Sequence, residues 1–286
     1  MSHSDPSHAG RIKIGHAELA YEVSGSGPAV VLVHAGIADR RMWDPQVAAL
    51  AAHFTVVRYD MRGFGESTDG AEDYAHHEDL VHLIAELDLG SVGLVGCSFG
   101  GRVAIDAALS YPALVEQLAL INPALGGYPW PAELDASEEA IEAAVEAGNL
   151  DAAAEVDLRV WVDGPSRQPD EVDADVRERA RVMARQVYDA GEPAVSMVAL
   201  APPAIERLGE LRAPTLVISG ELDQPLMRDI ATLIGERVAG SRVVSLPGVA
   251  HLASMEAPDA VNDLLLDFFN EQDTEHEYRG AARDHD

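Results

Sequence analysis

Short runs of apolar, β-branched residues punctuate the chain, and longer stretches of helical period separate them. Ala29–His34 (AVVLVH), Phe54–Asp60 (FTVVRYD), Val92–Val95 within SVGLVG, Val115–Asn122 (VEQLALIN) and Thr215–Ser219 (TLVIS) are largely apolar throughout, the pattern of strands buried on both faces of a parallel sheet. Arg242–Leu246 (RVVSL) completes that set. Arg11–Ile14 and Glu18–Val23 instead alternate and flank Gly15-His16, which predicts an N-terminal hairpin. Between the runs, Leu80, Leu83, Ile84 and Leu87 predict a helix from about Tyr74 to Leu89. A second helix is expected from Phe99 to about Ser110, closed by Tyr111-Pro112. A last one is expected from Pro258 to about Asn270, with Leu264, Leu265, Phe268 and Phe269 turned inward. Strands alternating with helices predict an α/β fold, a mostly parallel twisted sheet flanked by helices.

The rhythm changes between Pro123 and about Pro203, a stretch rich in Ala and Glu with helical patterning at Glu133–Gly148 and Asp170–Gly191. About 80 residues is long for one crossover, so the stretch reads as an inserted helical lid. The expected organisation is a discontinuous core domain of residues 1–122 and 204–273, a helical lid of residues 123–203, and a flexible polar tail of residues 274–286.

Composition narrows the function classes. Twenty basic residues against 49 acidic ones give a net charge of −29. Phosphate backbones and anionic membranes are bound through Lys and Arg, so no nucleic-acid or membrane partner is expected. No apolar stretch approaches the roughly 20 residues of a membrane span. A polar N-terminus without an apolar signal region and a single cysteine, Cys97, suit a cytoplasmic protein. His76 and His77 are adjacent and point differently on a helix, and the other histidines are scattered, so no metal site and no cofactor is expected.

The chemistry centres on LVGCSFGGRVA, where Gly96-Cys97-Ser98-Phe99-Gly100 fits G-x-S-x-G. By composition the five-residue pattern arises by chance in roughly one chain in ten of this size. Its context carries more weight: a buried strand ends just before it and a helix begins just after. A nucleophile at the tip of such a turn sits in strained backbone, with neighbouring segments too close for a Cβ at the flanking glycines. The central position, Ser98, projects into the cleft, while Cys97 points back to the sheet as a small apolar filler. A serine hydroxyl needs a histidine to take its proton and an acid to orient that histidine. Asp223, after strand TLVIS, and His251, after strand RVVSL, lie at strand C-terminal ends on the same side of a parallel sheet. The order Ser98, Asp223, His251 matches one known triad arrangement. Glu221 is expected to point away from His251, and Asn122, an amide, cannot replace the carboxylate.

These segments together resemble the α/β-hydrolase fold family, in its serine-nucleophile, esterase- and lactonase-like branch. VHAGIADRRMWDPQ is similar to the family's His-Gly segment, with Ala35 where glycine is usual. YDMRGFGEST is similar to its D-x-R-G-x-G-x-S segment. LVGCSFGG, GELD and GVAHLASMEAP match the nucleophile, acid and base segments in order. The resemblance implies an oxyanion hole from the backbone N–H groups of Phe99 and Gly36, with Ile37 the one-residue alternative. His34, Asp60, Arg62 and Ser67 are expected to fix turns rather than react.

Attack on a carbonyl carbon, an acyl-enzyme on Ser98 and discharge to water follow from that machinery. The expected substrate is a small to medium carboxylic ester or lactone. A C–C bond hydrolase, a cofactor-free perhydrolase and an acyltransferase share the triad; C–C hydrolases usually carry an aromatic residue after the histidine, where this chain has Leu252. From a different class, a ligand receptor or interaction protein on a hydrolase scaffold is the competing reading. Candidate pocket residues are Ile37, Trp130, Trp161 and Leu252, with Tyr128, Met183, Tyr188 and Met197 also available to line an apolar cavity.

Overall fold

The computed structural model describes residues 8–191 and 195–281. Eight strands form one sheet: β1 (His8–Ile14), β2 (Ala17–Ser24), β3 (Ala29–Val33), β4 (Thr55–Tyr59), β5 (Val92–Cys97), β6 (Val115–Ile121), β7 (Thr215–Gly220) and β8 (Arg242–Leu246). Their spatial order is β1-β2-β4-β3-β5-β6-β7-β8. The first two strands form the hairpin that alternation predicts, and β2 joins β4 antiparallel; every other pair is parallel. The apolar runs become the central strands because both of their faces are covered: β5 and β7 are buried along their full length.

The helices are α1 (Asp44–Leu50), α2 (His76–Glu86), α3 (Phe99–Ser110), α4 (Asp135–Glu146), α5 (Leu150–Asp157), α6 (Ala174–Ala190), α7 (Ala204–Arg207), α8 (Pro225–Arg237), α9 (Ala253–Glu256) and α10 (Pro258–Ala281). One core layer packs α2, α3 and α8 against the sheet through Leu83, Ile105 and Ile230. The layer on the other face packs α1 and α10 through Leu50, Leu265 and Phe269. The last helix continues past Asn270 to Ala281. Residues 282–286 of the expected tail lie outside the described residues.

Between β6 and β7 the chain leaves the sheet and forms α4, α5, a π-helical turn at Leu158–Val162, and α6. The Leu150–Val162 stretch (LDAAAEVDLRVWV) falls between the two segments whose patterning predicts helix.

After β3 the chain turns to β4 on one side, then crosses to β5 on the other. Such a reversal leaves a crevice beyond the carboxyl ends of the two strands, where open α/β sheets bind ligands. The Ser98 turn follows β5, and the His34–Ile37 segment follows β3. Gly100 shows how tightly these two pack: a Cβ there would collide with the carbonyl oxygens of Val33 and His34. Gly100→Ala is therefore expected to lower unfolding free energy by about 3 kcal/mol in urea titration; an unchanged midpoint would show that β3 does not press on the turn.

Candidate functional site

Ser98 heads α3 with φ 54° and ψ −118°, a left-handed conformation that a non-glycine residue adopts only when its surroundings impose it. The surroundings do so on both sides. The Ser98 N–H donates to the Ile121 carbonyl at 3.0 Å, and the Ser98 carbonyl accepts from Ala124 N–H at 2.9 Å. Gly96 faces the Gly100 carbonyl so closely that a Cβ would overlap it. Ser98 is partly exposed, whereas Cys97 is fully buried in the core layer with Ala119 and Ile121. Burial pushes the Cys97 thiol well above its ordinary range, with the nearby Asp223 carboxylate adding to the shift. The two neighbouring side chains thus have opposite chemistry available to them.

Asp223 and His251 sit in the loops after β7 and β8 and are 1% and 2% exposed. His251 Nδ1 lies 2.8 Å from Asp223 Oδ2, and Asp223 Oδ1 accepts from the Gln224 N–H at 2.7 Å. Glu221, by contrast, faces Ser245 on the outer side. A hydrogen bond from Ser98 Oγ to the His251 ring is not among those the described residues make; such bonds are commonly long until a substrate seats.

Asn122, at the end of β6, holds these loops together. Its Nδ2 donates to the carbonyls of Ala250 (2.9 Å) and His251 (2.8 Å), and its Oδ1 accepts from Gly220 N–H at 2.7 Å. It is wholly buried and has φ 44°. The sequence marks Asn122 only as an unsuitable acid; its part in the site comes from three backbone partners about 100 residues or more away. A second tie comes from the inserted segment: Arg167 pairs with Glu256 at 2.6 Å, and Glu256 accepts from Ala250 N–H at 3.1 Å.

Gly36 lies against Phe99, with a Cβ built on it 3.5 Å from the Phe99 Cβ, so the two expected oxyanion donors share one wall of the crevice. His34 is buried, accepts from Met61 N–H through Nε2 at 2.9 Å and donates from Nδ1 to the Ala35 carbonyl at 2.8 Å. Burial holds its pKa below the usual histidine range, which suits a neutral turn-fixing ring. Asp60 accepts from Arg40 and Glu66 N–H groups at 2.8 Å, Ser67 donates to the Asp60 carbonyl at 2.6 Å, and Arg62 forms a two-pronged pair with Asp79 at 2.9 Å. His76 is buried against the Phe99 ring, 5.1 Å between centroids, and burial pushes it down to about 3.

A cavity of about 390 Å³ opens beside these groups, lined among others by Gly36, Ile37, Trp130, Asp157, Trp161 and Tyr188. Trp161, on its wall, is the link to the histidine: its ring lies 4.7 Å from that of His251. Leu252 does not join this lining: it is fully buried in the α1/α10 core layer, because its backbone turns the side chain under the loop. Met183 is likewise buried and Met197 exposed, while Tyr128 borders a different hollow. Among the described residues no three His, Cys, Asp or Glu side chains are grouped to hold a metal ion, and no helix is long and apolar enough to cross a membrane.

Residues 30–264 match the model of the alpha/beta hydrolase family. The chain belongs to that family. Among solved structures it is similar to the enol-lactonase from Burkholderia xenovorans, at 26% identity and a TM-score of 0.70, covering 89% of this chain and 97% of that one. It is also similar to a thermophilic esterase from Thermogutta terrifontis, at 26% identity and a TM-score of 0.72, covering 92% and 99%. An uncharacterised protein of Mycobacterium tuberculosis is 39% identical over 107 residues, 36% of this chain; the match spans about a third of that relative's length, 31%.

The Asn122 clamp carries a direct expectation. Asn122→Ala strands two buried carbonyls and one buried N–H, so urea titration should show a loss of about 3 kcal/mol; wild-type stability in the variant would mean that the loops hold themselves.

Proposed function

We propose that this alpha/beta hydrolase cleaves a small to medium carboxylic ester or lactone through an acyl-enzyme on Ser98. The observation that carries the reading is the buried 2.8 Å contact between His251 Nδ1 and Asp223 Oδ2, in the loops beside the strained Ser98 turn. In this reading Nδ1–H donates to Asp223, which leaves Nε2 bare to take the Ser98 hydroxyl proton. The alkoxide attacks the substrate carbonyl. The resulting oxyanion is held by the N–H groups of Gly36 and Phe99, the latter at the start of α3 where helix N–H groups are unpaired. His251 then gives its proton to the leaving alcohol, and water repeats the sequence to release the acid. The similarity to an esterase and an enol-lactonase supports both substrate types. The inserted segment, residues 123–203, acts as a lid in this reading, since Trp161 and Asp157 from it wall the cavity beside His251.

Three variants test the assignment on p-nitrophenyl acetate. Ser98→Ala and Asp223→Asn should each lower kcat on the order of 10⁴-fold without changing the melting temperature much. Cys97→Ala should keep most of the activity. Substantial turnover by the serine variant, or a loss in the cysteine variant as deep as the serine one, would overturn these roles.

A further inference from the structure

Asp157 differs from the other buried aspartates of this protein. Among the described residues Asp39, Asp60, Asp79, Asp106 and Asp163 each pair with an arginine, and Asp223 pairs with His251. Asp157 is also buried, at 6% exposure, yet its hydrogen-bond partner is a neutral phenol, Tyr188. A carboxylate taken out of water without a paired cation is costly, and the only cation acting on it among the described residues is the His251 ring when that is protonated, so a cation arriving from outside would complete the pairing. Asp157 stands on the wall of the same cavity as Trp161, whose ring packs on that of His251.

The rest of that wall suits the same visitor. Trp130 and Trp161 stand 6.3 Å apart between ring centroids, tilted at 52°, and Tyr188 adds a third aromatic ring. Glu138 and Glu142 are exposed on the same lining, and no arginine or lysine contributes to it among the described residues. Aromatic faces beside carboxylates, without a competing cation, are the chemistry that recognises an ammonium group.

We infer that the substrate's leaving alcohol carries a positive charge, an ammonium or quaternary ammonium group seated between Trp130, Trp161 and Asp157. The alcohol side is indicated because the leaving oxygen must take its proton from His251, and Trp161 lies against that ring. This inference rests on the serine-hydrolase reading above. Burial pushes the Asp157 carboxyl up to about 6, and a bound cation would lower it again. The net charge of −29 draws cations toward the whole molecule and repels anionic esters.

The test compares butyrylcholine with 3,3-dimethylbutyl butyrate, which has the same shape without the charge. The cationic ester should lead in kcat/KM by about tenfold. That lead should shrink severalfold in Asp157→Asn, and also in the exposed pair Glu138→Gln with Glu142→Gln, whose folding is not in question. Equal kcat/KM for the two esters would overturn the inference while leaving the hydrolase reading intact. Choline and 3,3-dimethyl-1-butanol titrated into Ser98→Ala protein, followed by tryptophan fluorescence, separate the two claims. Choline should bind more tightly, by a similar factor. Selective choline binding without hydrolysis of any ester would keep the cation site and remove the ester hydrolase; no selectivity in either assay would remove the cation site.

Discussion

The backbone of Ser98 is held at a positive φ, and most of the architecture around the crevice can be traced to what that requires. A non-glycine residue in this conformation is unfavourable by roughly 1–3 kcal/mol and persists only when its neighbours leave no alternative. Here β3 presses on the turn from one side, through the carbonyls of Val33 and His34, and β6 fixes it from the other through Ile121. The turn also decides which of two adjacent reactive side chains meets solvent. Ser98 is delivered to the crevice, and Cys97 is committed to the core with its thiol kept protonated.

Strain at one point is useful only if the other groups are held in register with it. Asn122 does this with one side chain, because it sits at the end of the strand next to the one that leads into Ser98 and bonds to the loops that carry Asp223 and His251. Parallel strands make such a clamp possible, since their carboxyl ends, and therefore their loops, all open on one side. The inserted segment adds an outer tie through Arg167 and Glu256, so that the wall of the cavity and the loop bearing the histidine are joined by a buried ion pair. Glu256 nonetheless has its pKa raised, because burial outweighs its arginine partner.

The eight strands and the two-faced burial of the central ones were legible in the sequence, because an apolar run of strand length has few other places to go. The loops bearing Ser98 and Asp223 were legible for the same reason, each following such a run; the His251 loop follows β8, an edge strand that is largely exposed and was legible from its β-branched residues alone. What the sequence hid depends on contacts between distant segments. Asp157 lies in an acidic stretch and looks like one more solvated charge until Tyr188, 31 residues later, folds over it. Trp161 is placed against His251 by a π-helical turn, a local irregularity without a sequence pattern, of the sort often found at functional sites. Leu252 follows the histidine directly and so suggests the pocket, but the loop turns it into the core.

The most direct measurement is the position of a covalent adduct. The folded protein would be treated with a fluorophosphonate, whose phosphorus is attacked by an activated serine, and the labelled peptide located by mass spectrometry. A single adduct on Ser98, lost when His251 is replaced by alanine, is the expected result. Folded protein that stays unlabelled, or that carries the label on another residue, would contradict a nucleophile at Ser98.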